Sequence, residues 1–256
     1  MTKQDHDNVV RKSFARQVGL FSGDDSPFAR RPTTANSWLE PLEPAMIALD
    51  VACGAGHVAE QIAPHVRQVI GVDLTPALLD LGARRMREAG IDNVLLQEGN
   101  AASLPFVDES FDLVFSRSAL HHMADPERGV DEMARVCRPG GRVVISDMIP
   151  PSAEVRERFD EVHRLLDPSH NAVLLESELA ALLEEKVGPL SYGETPDAFT
   201  IPLTIVVTET ADHDAVMRAL HDELDGGAAT GFQPVRDGDD VVVSFRSTVV
   251  HATRTA

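Results

Sequence analysis

Several residue types are scarce in this 256-residue sequence, which contains two cysteines, one tyrosine and one tryptophan. Cys53 and Cys137 stand apart in apolar surroundings and provide neither a disulfide framework nor the paired spacing of a metal site, so we expect buried free thiols in a reducing compartment. No apolar run approaches the roughly 18 residues of a membrane-spanning helix. The first ten residues carry no hydrophobic signal core. We therefore expect a cytoplasmic protein with no membrane insertion.

Positive charge is also scarce, because 23 basic residues face 41 acidic ones and the formal net charge is -18. Nucleic-acid binding depends on clustered Lys and Arg, and the sequence has no basic run, so we expect no nucleic-acid partner. The simpler meaning of the charge is solubility. Apolar residues make up 43% of the chain and charged residues 25%, which is an ordinary globular composition.

The stretch from residue 45 to 150 alternates between strand and helix patterns. Apolar strands separated by helices are typical of a parallel sheet that is covered on both faces, which is the α/β class. Thr75-Pro76 and Asp125-Pro126 each read as a helix cap followed by the first helical residue. The expected strands are 46–51, 68–73, 93–97, 111–116 and 142–147, and the expected helices are 57–64, 76–89 and 126–137.

The flanking segments are less regular. We expect an amphipathic helix over 8–21 and a second helix over 36–42, which together form an N-terminal helical cap of residues 1–44. Residues 45–256 form the main domain, in which 150–200 is a helical insertion that is either a substrate lid or plain packing. The pattern predicts helices over 152–166, 176–186 and 212–224, and strands over 201–207 and 240–251.

The stretch ALDVACGAGHVAEQI contains glycines at dinucleotide-binding spacing, with Gly54, Gly56 and Ala59 lying between a predicted strand and a predicted helix. Asp73 ends the second strand about 20 residues later, where a carboxylate can accept both hydroxyls of an adenosine ribose. Asp50 precedes the turn and would repel a pyrophosphate at the helix N-terminus, whereas it suits the ammonium group of a sulfonium cofactor. Alternatively, Asp50 caps nearby backbone N–H groups.

Four motifs follow one another in a familiar order: LDVACGAG, VDLTPALL, EGNAASLPF and SFDLVFSRSALHHMADPERGVDEMARVCRPGGRVVISD. In this order the sequence resembles a class I S-adenosylmethionine-dependent methyltransferase, most closely the ubiquinone- and menaquinone-biosynthesis-like group that acts on small molecules. The resemblance implies a doubly wound, mostly parallel seven-stranded, Rossmann-like sheet. It also implies methyl transfer from S-adenosyl-L-methionine to an oxygen, carbon or nitrogen atom of a small molecule, with S-adenosyl-L-homocysteine as the product.

The same resemblance assigns residues to the cofactor site. Asn100 stands where the family usually has Asp; an amide can still accept a hydrogen bond from adenine while it donates another. Gly99 and Ala101 flank Asn100. The resemblance implies no metal ion. The methionine moiety would meet Asp50, Ala52, Gly54, Gly56 and the backbone around Ser116; the ribose would meet Asp73; and the adenine would meet Leu74, Asn100 and Ala101.

His121 and His122 are the candidates for a general base, because they follow the fourth strand at the carboxyl edge of the sheet and histidine titrates near neutral pH. Alternatively, they only shape the turn. His163 and His170 are weaker candidates for the same role. Arg117 either orients an anionic group or pairs with Asp147, and four further polar residues should be solvated: His213, Asp214, His221 and Asp222.

Four questions stay open at this level. Phe14 and Gln17 of the N-terminal helix either close the cofactor pocket or simply pack against the domain. An NAD(P)-dependent oxidoreductase is an alternative, although Tyr192 is the only tyrosine and no Tyr-x-x-x-Lys pair exists. A member of the methyltransferase fold that binds the cofactor without transferring methyl is another. The sequence is compatible with a monomer or a homodimer.

Overall fold

A computed structural model describes residues 2–22, 37–194, 199–208, 211–238 and 240–255. The strands are β1 (Ile47–Val51), β2 (Gln68–Asp73), β3 (Val94–Glu98), β4 (Phe111–Arg117), β5 (Cys137–Ile149), β6 (Leu190–Glu194), β7 (Phe199–Pro202), β8 (Val235–Asp237) and β9 (Asp240–Thr253). The helices are α1 (Lys3–Arg16), α2 (Val18–Phe21), α3 (His57–Ile62), α4 (Pro76–Glu88), α5 (Pro126–Val136), α6 (Arg156–Leu166), α7 (Glu176–Lys186), α8 (Leu203–Val206) and α9 (His213–Leu224).

The main sheet has the strand order β3-β2-β1-β4-β5-β9-β6. The first five strands in this order are parallel, whereas β9 runs antiparallel to both β5 and β6. This order departs from the six-stranded 3-2-1-4-5-6 order of the dinucleotide-binding fold, because a late antiparallel strand is inserted before the edge. The expected α/β, mostly parallel, Rossmann-like sheet is confirmed, with seven strands along this path.

Helices cover both faces of this sheet. On one face α5 and α7 bury Val130, Met133, Leu179 and Leu183 against the strands. On the other face Val58 and Ile62 of α3 join Ala48, Leu113 and Phe115 in a second cluster. A third cluster forms beyond the sheet, where α6 and α9 pack against the first half of β9. Strands β7 and β8 pair with that same half of β9.

Most predicted elements lie within a few residues of their predicted bounds. The N-terminal helix begins at Lys3 and is interrupted at Gln17, before α2. The expected helix over 36–42 is wrong for its described part, since 37–39 form a single 3-10 turn and Asn36 lies outside the described residues. The segment 150–200 contains α6 and α7, as expected, and also β6, which the sequence reading missed. The short strand β8 was missed as well.

The predicted strand over 201–207 is wrong beyond Pro202. The ring of Pro202 removes a backbone donor, and its φ of -55° suits a helix start, so β7 ends there and α8 begins. An apolar run this short cannot be distinguished from a buried helical turn by its pattern alone.

Candidate cofactor and substrate site

A large cavity of about 750 Å³ lies over the carboxyl ends of β1, β2 and β4, and we call it the main cavity. Its volume falls in the range of small-molecule sites, roughly 300 to 1,000 Å³. Open α/β sheets bind ligands at this edge. Of the sequence-predicted cofactor residues, Asp50, Ala52, Gly54, Asp73, Leu74, Asn100 and Ala101 line the main cavity.

The glycine turn between β1 and α3 brings backbone close to the main cavity. Ala52, Gly54 and Gly56 all have left-handed φ angles, of 57°, 55° and 71°. Glycine adopts this region without strain, which accounts for its presence at two of the three positions. Gly56 caps α3 but does not line the cavity. The turn is supported from behind by Gly82 of α4, where a Cβ atom would lie 2.5 Å from the carbonyl oxygen of Ala55.

Asp50 is buried at the end of β1, with a residue exposure of 2%. Its Oδ2 atom has no hydrogen-bond partner among the described residues. Burial raises the pKa of this carboxyl group to about 8, although the nearby charge of Arg117 opposes the shift. A buried acceptor that lacks a donor is destabilising unless a ligand supplies one. The ammonium group of a bound amino-acid moiety would satisfy it, so the site fits S-adenosylmethionine at this point.

Asp73 ends β2 and links the two loops that surround it. Its two carboxylate oxygens accept hydrogen bonds from the backbone N–H groups of Gly54 and Thr75, each at 2.8 Å. Burial raises the pKa of Asp73, whereas these hydrogen bonds lower it. Each carboxylate oxygen has a second lone pair, so Asp73 can still accept from a ribose diol.

Asn100, after β3, is already engaged at both ends of its amide. Its Oδ1 accepts from the N–H of Ala102 at 2.8 Å, and its Nδ2 donates to Oδ2 of Asp7 in α1, also at 2.8 Å. Asp7 itself lines the main cavity. The sequence reading did not single out Asp7, because the sequence gives no sign that α1 crosses the end of β3.

Ser116 does not line the main cavity. Its side chain is fully buried in β4 and its hydroxyl donates to the carbonyl oxygen of Val51 at 2.9 Å. The next residues, Arg117 and Ser118, are the ones that reach the cavity.

His121 forms a buried pair with Asp147, the residue near the end of β5. Its Nδ1 is hydrogen-bonded to Asp147 Oδ1, and the other carboxylate oxygen accepts from the backbone N–H of Leu120 at 2.6 Å. Burial alone would raise the pKa of Asp147, but the charge and hydrogen bond of His121 bring it below its ordinary value. With Nδ1 engaged, Nε2 is the nitrogen left for a ligand. The side chain that pairs with Asp147 is therefore His121, and not Arg117 as one of the two sequence alternatives expects.

His122 sits in a different environment, next to α1. Its Nδ1 lies 3.1 Å from Ser169 Oγ, which in turn donates to Asp167 at 2.7 Å. Phe14 packs edge-on against its ring, with centroids 5.0 Å apart. Burial lowers the pKa of His122 to about 4. Held neutral and hydrogen-bonded to a loop, His122 is a weaker candidate for a base than His121.

Gln17, at which the N-terminal helix is interrupted, is also hydrogen-bonded to Asp167. Its side-chain amide donates to Asp167 at 3.2 Å and to Ser13 at 2.9 Å. Both Phe14 and Gln17 line the main cavity, which is where they would lie if the N-terminal helix closes the cofactor pocket.

His163 and His170 of the expected lid segment lie beside His121. Their rings stack at 4.0 Å, and His170 Nε2 is 2.6 Å from Asp160 Oδ1. Of the two, only His163 lines the main cavity, and its buried Nδ1 has no hydrogen-bond partner among the described residues. Burial lowers the pKa of His163 far below its ordinary value, which keeps this ring neutral.

The remaining wall of the main cavity is apolar and comes largely from the C-terminal third of the chain. It carries Met148, Leu166, Phe199, Ile201, Ile205, Val206 and Phe245. The cavity therefore has a polar side over the glycine turn and an apolar side beneath β7 and α8.

Other sequence expectations concern residues away from the cavity. His213, Asp214, His221 and Asp222 are exposed, as expected. Cys137 is buried but Cys53 is only partly so, and both are free thiols. Within the described ranges, no group of three or more His, Cys, Asp or Glu side chains is arranged to hold a metal ion. No described helix combines the length and apolar character needed to cross a membrane.

The strand order, the glycine turn and the two carboxylates at its edge define a Rossmann-like fold of the methyltransferase class. Residues 49–145 match the family described as a methyltransferase domain. Over this central segment the chain is therefore similar to methyltransferases.

Individual relatives show the extent of this similarity. An uncharacterized methyltransferase of Bacillus subtilis, YcgJ, is 42% identical over 123 residues, which are 48% of this chain and 49% of that protein. A demethylmenaquinone methyltransferase of Clavibacter sepedonicus is 37% identical over 122 residues, or 47% of this chain and 49% of that protein. The matches thus span about half the length of these relatives.

Solved structures extend the similarity of the fold further. The crystal structure of YcgJ superposes with a TM-score of 0.75 and 26% identity over 88% of this chain and 98% of that one. The [4+2]-cyclase SpnF shares the fold with a TM-score of 0.64 and 18% identity over 96% of this chain and 95% of that one.

Proposed function

We propose that this protein transfers a methyl group from S-adenosylmethionine to an apolar small molecule. The observation that carries the proposal is the buried, unpartnered Oδ2 of Asp50, which needs a donor that no described residue supplies. Asp73 lies beside it on the neighbouring strand, so an ammonium and a ribose can be held at one edge of the sheet. A pyrophosphate would gain no partner from Asp50, because its negative charge would favour the protonated carboxyl group over the ionised one, and this disfavours a nicotinamide dinucleotide.

S-adenosylmethionine, when bound, supplies an activated methyl group on a sulfonium. The residues of the chain would then hold and align the two reactants, which alone can lower the barrier by about 7 to 11 kcal/mol. Asp50 would bind the ammonium group and Asp73 the ribose hydroxyls. The apolar wall under β7 and α8 would exclude water from the reacting atoms.

His121 is the proposed general base. Asp147 orients its ring through Nδ1, which is the arrangement by which a carboxylate fixes the tautomer of a catalytic histidine. Nε2 would accept the proton that the methyl acceptor loses. Such a base contributes roughly 10² to 10⁴ in rate. An acceptor that has an ionisable hydroxyl or amine on an apolar frame fits both the base and the apolar wall.

Cofactor binding is the first test of the proposal. Titration calorimetry should show that S-adenosylhomocysteine binds to the wild-type protein and that Asp73→Ala binds it at least tenfold more weakly. Asp80→Ala is the matched control, because Asp80 lies on the exposed side of α4 and should leave the affinity unchanged. If the wild-type protein fails to bind at millimolar concentration, the proposal is wrong.

Methyl transfer is the second test. Methyl-labelled cofactor incubated with the protein and fractionated cell extract should give a labelled small molecule that mass spectrometry identifies. Cofactor binding without a labelled product would instead favour a repurposed member of the fold; the SpnF structure shows that a protein described as a cyclase has this fold.

A further inference from the structure

The position to which the methyltransferase resemblance assigns adenine is occupied by an amide whose oxygen and nitrogen both already make hydrogen bonds. Asn100 Oδ1 accepts from the Ala102 N–H, and Asn100 Nδ2 donates to Asp7. The adenine 6-amino group is a donor and needs an acceptor. Asn100 Oδ1 keeps one lone pair, but a neutral amide oxygen that already accepts one hydrogen bond is a weaker acceptor for this donor than a carboxylate would be.

The order of strands places the adenine end of the cofactor site over β3. Asp50 is the residue before the last of β1, Asp73 ends β2 and Asn100 follows β3, and these three strands are neighbours in the sheet. If the ammonium lies at Asp50 and the ribose at Asp73, the base extends in the same direction, toward Asn100. The lining there includes Leu74, Ala101 and Asp7.

Helix α1 is held across this end of the site by polar contacts. Arg11 donates to the carbonyl oxygen of Leu74 at 2.9 Å and pairs with Glu98, the last residue of β3, at 3.0 Å. One turn earlier, Asp7 accepts from Asn100 through Oδ2. The structure records no other partner for the Asp7 carboxylate among the described residues, so its second oxygen is left to accept from a ligand.

We propose that Asp7 is the adenine-recognising carboxylate of this protein, supplied by α1 and oriented by Asn100. This inference rests on the proposed function, because it assumes that the ligand carries adenine. Asp7 is a specificity residue here: it would accept from the 6-amino group and would repel a carbonyl oxygen at the same position.

The test compares S-adenosylhomocysteine with its hypoxanthine counterpart, in which a carbonyl oxygen replaces the 6-amino group. Wild-type protein should prefer the adenine compound by roughly ten- to 100-fold, the range for one charge-assisted hydrogen bond. Asp7→Asn should reduce this ratio of dissociation constants at least fivefold. The exchanged pair Asp7→Asn with Asn100→Asp returns the carboxylate to the usual place and should restore the preference.

Asp5→Asn provides the matched control, because Asp5 lies on the same helix and its side chain bonds only to Thr2 of the helix cap among the described residues. It weakens α1 without touching the site, so the ratio should stay at the wild-type value. An equal loss of preference in Asp5→Asn, or an unchanged ratio in Asp7→Asn, would overturn the role of Asp7 while leaving cofactor binding intact. If the wild-type protein binds neither compound, the proposed function itself fails, and this inference fails with it.

Discussion

Asp50 and Asp73 share one cavity but differ in what they hydrogen-bond. Asp73 is held by two backbone N–H groups, whereas Oδ2 of Asp50 has no donor among the described residues. Burial raises the pKa of Asp50 to about 8. At neutral pH the carboxyl group of Asp50 is therefore protonated in the ligand-free protein, and a bound ammonium group would displace that proton.

Cofactor affinity should consequently depend on pH. Between pH 6 and 8 the affinity for S-adenosylhomocysteine should increase by up to about tenfold per pH unit, because the ammonium pairs only with the ionised carboxylate. Asp50→Asn should bind more weakly and show no such slope. Calorimetry at three pH values measures both, and a flat wild-type profile would contradict this assignment. In the ligand-free protein the raised pKa of Asp50 has the opposite effect on the free energy of unfolding. The stabilisation that comes from the bound proton is fully present below about pH 4 and is lost as the pH rises through about 8.

His121 and His122 are adjacent in sequence, yet only His121 has a buried carboxylate that fixes its ring. His121→Gln should therefore lower kcat by roughly 10²- to 10⁴-fold with little change in cofactor affinity, whereas His122→Gln should have a much smaller effect. Asp147→Asn should reproduce much of the His121 loss, because the ring would no longer be held in the required tautomer. Single-turnover methyl transfer with the identified acceptor measures these rates, and unchanged rates for His121→Gln would remove it from the chemistry.

Helix α4 supports the glycine turn through the close approach of Gly82. A Cβ there would lie 2.5 Å from the Ala55 carbonyl oxygen and 2.6 Å from Leu96. The absence of a side chain at Gly82 therefore sets how near the helix lies to the glycine turn.

Gly82→Ala should lower the free energy of unfolding by about 1 to 3 kcal/mol, because the overpacking outweighs the gain in helix propensity. It should also weaken cofactor binding, since the turn must shift. Gly19→Ala is the matched control: Gly19 is also helical, and apart from its chain neighbours no described residue lies within 4 Å of the place its methyl group would take, so this variant should be neutral or slightly more stable. Urea denaturation compares the two, and equal stabilities would argue against the tight contact.

Helix α1 lies across the cavity and contacts it through Phe14 and Gln17, the latter at its C-terminal end. If the helix is a gate, cofactor should slow amide hydrogen exchange in α1 more than in α9, which lies away from the cavity. Hydrogen-exchange mass spectrometry with and without S-adenosylhomocysteine makes the comparison. Equal protection in both states would indicate that α1 is plain packing.

For the molecule as a whole, the core of the fold and most of the lining of the candidate cofactor site are predictable from the sequence, but the apolar side of the cavity is not. Asp50, Asp73 and the glycine turn follow one another along a regular strand-helix alternation, so local patterns locate them. Asp7 and Asp147 reach the site only through contacts of long sequence separation, and no local pattern reports these. Asp147 alone has a usable signal, because it lies near the carboxyl end of a central strand.

The net charge of -18 is also a property of the whole molecule. Like charges repel one another in the folded state, and added salt screens that repulsion. The melting temperature should therefore rise by a few degrees between roughly 0.02 and 0.2 M sodium chloride, and potassium chloride should have the same effect. A fall would instead show that surface ion pairs such as Arg135–Asp108 dominate the charge contribution.

The two halves of strand β9 pair with different strands. Its second half, from Arg246 onward, is paired with β5 inside the central sheet, whereas its first half, through Phe245, pairs with β7 and carries part of the apolar wall. The two halves share one continuous backbone. To give this protein the acceptor preference of a relative, one would therefore have to exchange the whole of β9 together with its partner strands. The same restriction applies to the evolution of this pocket.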